Sequence, residues 1–143
     1  MLRKVLGALA GIATAVLTVM LMEWLGHSVY PPPDGIDLSN TEALTTYVAA
    51  APLGALLFVL VGYLIATFDG TFIACLIGRA PQYIYALLIA VLMLASTASN
   101  LIMIPHPTWF SISAVVGIIA SAWLAKKVAA ITIAKVPSLD QGE

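Results

Sequence analysis

The sequence predicts an all-α integral membrane protein, a bundle of four transmembrane helices with both termini on the cytoplasmic side. Three observations predict it. Apolar residues make up 62% of the 143 residues and charged ones only 9%, with a mean hydropathy of +1.04, whereas a soluble domain carries roughly 25% charged residues. Between Arg79 and Lys126 there is no Asp, Glu, Lys or Arg. Finally, all six basic residues (Arg3, Lys4, Arg79, Lys126, Lys127 and Lys135) fall on one side if the chain crosses the bilayer four times, and the positive-inside rule makes that side cytoplasmic.

A span needs about 20 residues, so the length holds a single membrane domain of at most four or five crossings. The net charge of −1 gives a nucleic-acid partner no electrostatic support. Cys75 is the single cysteine. It excludes an intrachain disulfide or a cysteine-based metal site, and reads as a small buried hydrophobe.

The first helix is expected over residues 5–28. Its apolar run from Val5 to Met22 exceeds the roughly 7–15 residues of a secretory signal, so it reads as an uncleaved span. Pro31-Pro32-Pro33 ends it, because proline lacks the amide donor and clashes with the preceding turn. A polar outer loop follows over 29–40. Ser39 and Glu42 have the spacing of a capping box, which starts a helix near Asn40. From there to Gly78 a continuous helix would measure roughly 57 Å, far more than a bilayer core. The expectation is an interfacial segment kinked at Pro52 and a second span ending at Gly78, together 41–78. The third span is expected over 82–104, a turn at Pro105-His106-Pro107, and the fourth over 108–126. A cytoplasmic tail over 127–143 closes the chain, disordered from Pro137 to Glu143. Trp24, Tyr30, Tyr47 and Trp109 mark the outer interface, and Tyr83, Tyr85 and Trp123 the inner one.

Small residues recur at every fourth position: Gly7, Gly11 and Ala15, then Gly62, Ala66, Gly70, Ala74 and Gly78, then Ser113, Gly117, Ser121 and Ala125. Lipid gives no hydrophobic drive between helices, so close backbone approach along such rows holds a bundle together. The alternative use of one row is a face for a homodimer or a larger membrane complex. A strict period of four drifts about 40° per step on a helix, so one row can serve two neighbours.

Four polar residues belong to the outer level. Glu23 and His27 stand at i and i+4, on one helix face; Asn100 and His106 close the third span and its turn. A carboxylate with two imidazoles can bind a divalent transition metal (Glu23, His27 and His106) or relay a proton. The structural alternative is that Glu23 and His27 bond to each other or to backbone donors and fasten the loop. Haem is poorly served, since His106 sits between two prolines. Asp69 lies ten residues before Arg79, roughly 15 Å from that end. A carboxylate at that depth should face the interior, held by Thr or Tyr hydroxyls, and is by default a functional candidate. Ser96, Thr97 and Ser99 read as helix-packing hydroxyls. No nucleophile–base, dinucleotide or metalloprotease motif is present, and nothing in the sequence requires a cofactor.

The runs Glu23-Trp-Leu-Gly-His27-Ser-Val-Tyr30-Pro31 and Pro105-His106-Pro107-Thr-Trp109 resemble those of small uncharacterised four-helix inner-membrane proteins of Gram-negative bacteria. The likeness covers most of the chain in layout and implies an inner-membrane location but no activity. The functional reading is therefore a non-enzymatic membrane protein that binds or relays a small cation, proton or small solute at an outer-facing polar site. Transport follows if Asp69 connects to that site. The competing reading is an accessory or scaffold subunit whose polar cluster is only structural.

Overall fold

The computed structural model describes residues 1–33, 35, 37, 39–79 and 82–135. Five helices form among them: α1 (Leu2–Val29), α2 (Thr41–Ala49), α3 (Leu53–Gly78), α4 (Gln82–Met103) and α5 (Thr108–Lys135). All but α2 are long and apolar enough to cross a membrane. The chain is an all-helical, multi-pass membrane protein with a four-helix bundle. One end of the bundle carries all the basic residues; the other carries the α1–α2 loop and the Pro105–Pro107 turn. They are called here the basic end and the loop end.

The helix boundaries follow local chemistry, with three departures from the expected ones. The cap of α2 is Asn40, whose side-chain oxygen accepts from the amides of Glu42 (2.9 Å) and Ala43 (3.3 Å). Ser39 is turned the other way: its hydroxyl (2.6 Å) and amide (2.9 Å) both donate to Asp37 Oδ1, which holds that carboxyl below the ordinary carboxylate range. Secondly, Pro52 does not kink a continuous helix. It stands in extended conformation as the cap of α3, with φ −63° and ψ 148°. Proline disfavours helical backbone at the preceding residue, so α2 has already ended at Ala49. Thirdly, α5 runs through Lys135 instead of ending near Lys126, since residues 127–135 contain no glycine or proline to stop it. At 28 residues it is about 42 Å long, longer than a hydrocarbon core. The expectation for 137–143 falls outside the described residues.

Helix α3 is the central element: it packs on α1, α5 and α4 in decreasing extent, while α4 leans mainly on α5. Three apolar clusters are stacked along it. Ala74, Cys75, Tyr85 and Ala129 lie towards the basic end; Ala15, Ala66, Ile89, Met93 and Ile118 fill the middle; Leu56, Leu60, Phe110 and Ala114 form the loop-end cluster. Cys75 is fully buried, as expected of a small hydrophobe. Tyr85 stands at the basic end but is turned into the bundle: it is 2% exposed, and its hydroxyl donates to the Lys4 carbonyl at 3.2 Å. Tyr83 and Trp123 are exposed, with the Lys127 ammonium 4.3 Å from the Trp123 ring.

The α1–α3 seam is where the small-residue rows meet. A Cβ on Gly7 would stand 2.6 Å from the Gly78 backbone, and one on Gly11 2.5 Å from the Gly70 carbonyl and the Ala74 Cβ. Gly70 in turn faces Ala15 and the Gly11 carbonyl. The two rows are used on each other within one chain, so this seam presents no face to a second copy. Gly62 lies under Met22, and Gly117 on α5 receives Leu64 of α3, next to the bond from the Ser121 hydroxyl to the Leu64 carbonyl at 2.6 Å. Gly78 sits beneath the Tyr85 ring, and the left-handed conformation that ends α3 falls to Arg79, at φ 46°. Glycine is thus kept where two helices touch, and an arginine takes the turn that glycine would adopt more readily.

These contacts rank the glycines. Gly11→Ala collides with backbone and should cost at least about 1–3 kcal/mol, whereas Gly117→Ala meets only the far end of a leucine side chain and should cost less. Reversible unfolding in mixed micelles measures both; equal losses would contradict the seam as the tightest contact.

Candidate functional site

At the loop end α1 and α3 stay in contact through Gly26 with Phe58 and Tyr30 with Gly54. Beside them a cavity of about 350 Å³ opens between α1, α2, α3 and the end of α4 with its turn. Glu23, His27, Asn100 and His106 all line it. A helix pair, a helix end and a turn thus bring four separately chosen residues to one place. Tyr30, Tyr47 and Tyr63 line it as well, and Leu44, Val48, Leu56, Val59 and Ile104 give it apolar walls.

Each polar residue is positioned differently. The Asn100 amide nitrogen donates to the Tyr63 hydroxyl at 2.8 Å, so the phenol keeps its own proton to give. The Glu23 carboxylate is close enough to that phenol to interact with it electrostatically. His106 stacks on Phe110 with ring centroids 4.8 Å apart, and its Nδ1 lies 2.7 Å from the Ile104 carbonyl. A carbonyl only accepts, so Nδ1 carries the proton and Nε2 is the free position of the neutral ring. Among the described residues neither Glu23 nor His27 forms a side-chain hydrogen bond or an ion pair; the interior bonds at this end are those of Asn100 and His106. The polar pair on α1 therefore does not fasten the loop.

Two expectations are corrected. Among the described residues no three His, Cys, Asp or Glu side chains stand together so that they could hold a metal ion; Glu23, His27 and His106 share a cavity without forming a ligand set. Helix spacing places Glu23 and His27 one turn apart, but His106 is held against Phe110 and the Ile104 carbonyl. Secondly, Asp69 is not part of this cavity, whose lining contains neither it nor Thr18. It is half-buried on the α1–α3 seam, and Thr18 donates to its Oδ2 at 2.7 Å, as expected of an intramembrane acid held by a threonine. Thr18 stands one helical turn before the lining residue Met22, so the Thr18–Asp69 pair lies next to the cavity on the side towards the basic end, outside its lining. Asp69 Oδ1 is shielded without a partner.

Tyr63 and the α2 wall were not foreseen as site elements. The available signal was a phenol in the middle of an apolar span, a hydroxyl that must find a partner when buried. Among the helix α4 hydroxyls, Ser99 bonds back to Ala95 at 3.0 Å, the packing role expected of it. Comparison with family models, curated proteins and solved structures finds no match.

Two measurements check this geometry. Thr18→Val should cost about 1–3 kcal/mol by leaving Asp69 short of a donor, and the double variant with Asp69→Leu should recover part of it; strictly additive losses would refute the pair. Nitrogen-15 spectra of the neutral His106 ring should show the proton on Nδ1, and a spectrum with the proton on Nε2 would contradict the Ile104 bond.

Proposed function

We propose that the chain is a solute-binding protein of the bacterial inner membrane, non-enzymatic, with both termini cytoplasmic and the cavity facing the outer compartment. The observation that carries the reading is the convergence of Glu23, His27, Asn100 and His106 on one cavity, with two of the four unbonded to protein. The gathering of every basic residue at the opposite end supports the orientation. Pockets with mostly apolar walls and a few polar groups suit small organic ligands, and this one is roomy enough for such a molecule. Relay of a proton across the membrane has less support, because Asp69 lies off the cavity. The scaffold alternative loses its main argument, since the rows of α1 and α3 already cover each other.

A thiol placed in the wall reports occupancy. In a Cys75→Ala background, Ala51→Cys should be alkylated by iodoacetamide, and the rate should fall with at least one of three six-carbon probes of different charge, hexanol, hexylammonium and hexanoate. Ser99→Cys, exposed and outside the cavity, should be unaffected. If none of the three protects Ala51→Cys selectively, the cavity is not a ligand site.

A further inference from the structure

The geometry points to an organic ammonium ion with a short apolar body as the ligand of this cavity, a deeper statement that rests on the binding reading above. Charge is the first ground. Among the described residues, Glu23 is the one carboxylate of the lining, and no lysine or arginine lines it. The nearest stretch of chain adds Asp37 and Glu42, while all six basic residues belong to the other end. A pocket of one sign with low-dielectric walls concentrates the opposite charge.

Acceptor count is the second ground. The Asn100 amide nitrogen is already bound to Tyr63, and His106 Nδ1–H to the Ile104 carbonyl. What these two residues have left is the amide oxygen and Nε2. With the Glu23 carboxylate they give the lining three acceptor groups for the N–H donors of a primary ammonium, and that carboxylate repels a ligand of its own sign. Tyr30, Tyr47 and Tyr63 line the same space, and phenol rings attract cations.

Size and wall chemistry are the third. A water occupies about 30 Å³ of liquid, so 350 Å³ far exceeds a bare inorganic ion. Leu44, Val48, Leu56, Val59 and Ile104 would face the water of a hydrated one. An alkyl or aryl body covers those walls while its ammonium stays at Glu23. Two sources share this chemistry: a free amphipathic amine, and the ethanolamine headgroup of a lipid, since the cavity lies at the level of the interfacial residues Trp24 and Trp109.

The thiol-protection assay separates charge from shape. At about pH 8, above the ordinary imidazole range, hexylammonium should half-protect Ala51→Cys at a concentration at least about tenfold lower than hexanol. Hexanoate should not protect. Adding Glu23→Gln should remove the preference for hexylammonium over hexanol while leaving the protection by hexanol. Equal half-protection by the two probes, or a preference that survives Glu23→Gln, overturns the ammonium assignment yet leaves the cavity as a binding site; protection by no probe overturns both. Nanodiscs of phosphatidylethanolamine against phosphatidylglycerol resolve the source. Protection in the former without added amine assigns the ammonium to lipid, and its absence there, with protection on adding hexylammonium, assigns it to a free amine.

Discussion

Everything in this bundle depends on the contact of α1 with α3, backbone against backbone, through Gly7, Gly11 and Ala15 on one side and Gly70, Ala74 and Gly78 on the other. In lipid the apolar side chains gain nothing by leaving one hydrocarbon environment for another, so attraction between helices comes from close van der Waals approach and hydrogen bonds. Absent side chains let the backbones approach closely enough for Gly11 and Gly70 to meet through the Gly11 carbonyl. Two further ties gather at its basic end: Arg3 Nε donates to the Ile77 carbonyl at 2.8 Å, at the negative end of α3, where a cation is favoured. Tyr85 closes the same corner by reaching Lys4 across Gly78.

The seam also explains why a cavity exists. Strict four-residue spacing on α1 runs Gly7, Gly11, Ala15, Val19, Glu23, His27. Each step turns about 40° away from a fixed neighbour, so a row that begins against α3 ends elsewhere. The contact stays with α3 only because it takes one three-residue step, from Ala15 to Thr18, and then follows Met22, Gly26 and Tyr30. The original row continues as Val19, Glu23 and His27 and lines the cavity together with Met22, Gly26 and Tyr30 of the contact row. Packing and site are two outcomes of one periodicity.

That periodicity was visible in the sequence, as were the four spans, the single basic end, the i to i+4 pair of Glu23 and His27, and a threonine or tyrosine hydroxyl as the partner for Asp69. These rest on local rules, namely hydropathy, helix spacing and the cost of a polar group in lipid. What could not be read depends on how separate helices sit side by side. His106 lies 79 residues from His27 in sequence, and no spacing rule says whether a turn beyond α4 points to α1. Tyr63 and Tyr85 looked like ordinary aromatics until their partners, Asn100 and Lys4, were known. The α2 cap was a contest between adjacent residues: Ser39 is held by Asp37, which leaves Asn40 to satisfy the first amides of the helix. Sequence spacing placed the helix start correctly and assigned the cap to the wrong residue.

The depth of each polar group completes the physical picture. An ionisable side chain is tolerated in a bilayer where it reaches water, or where protein supplies its bonds. Asp69 illustrates the second case only in part, with one oxygen bonded to Thr18 and the other shielded and bare. Glu23 illustrates the first: near the loop end, unbonded, and beside a volume open to water. Helix α2 decides how far that water reaches. It has no buried residue of its own, yet Leu44, Tyr47 and Val48 form one wall of the cavity, and Val48 with Ala51 touches the loop-end core around Leu56 and Phe110. Without α2 the polar face would be an open notch at the membrane surface, where a charge is screened and an apolar body gains no cover. With α2 in place, the exposed Glu23 borders a recess with apolar walls on its other sides, and a charge beside low-dielectric walls is felt more strongly than one in open water.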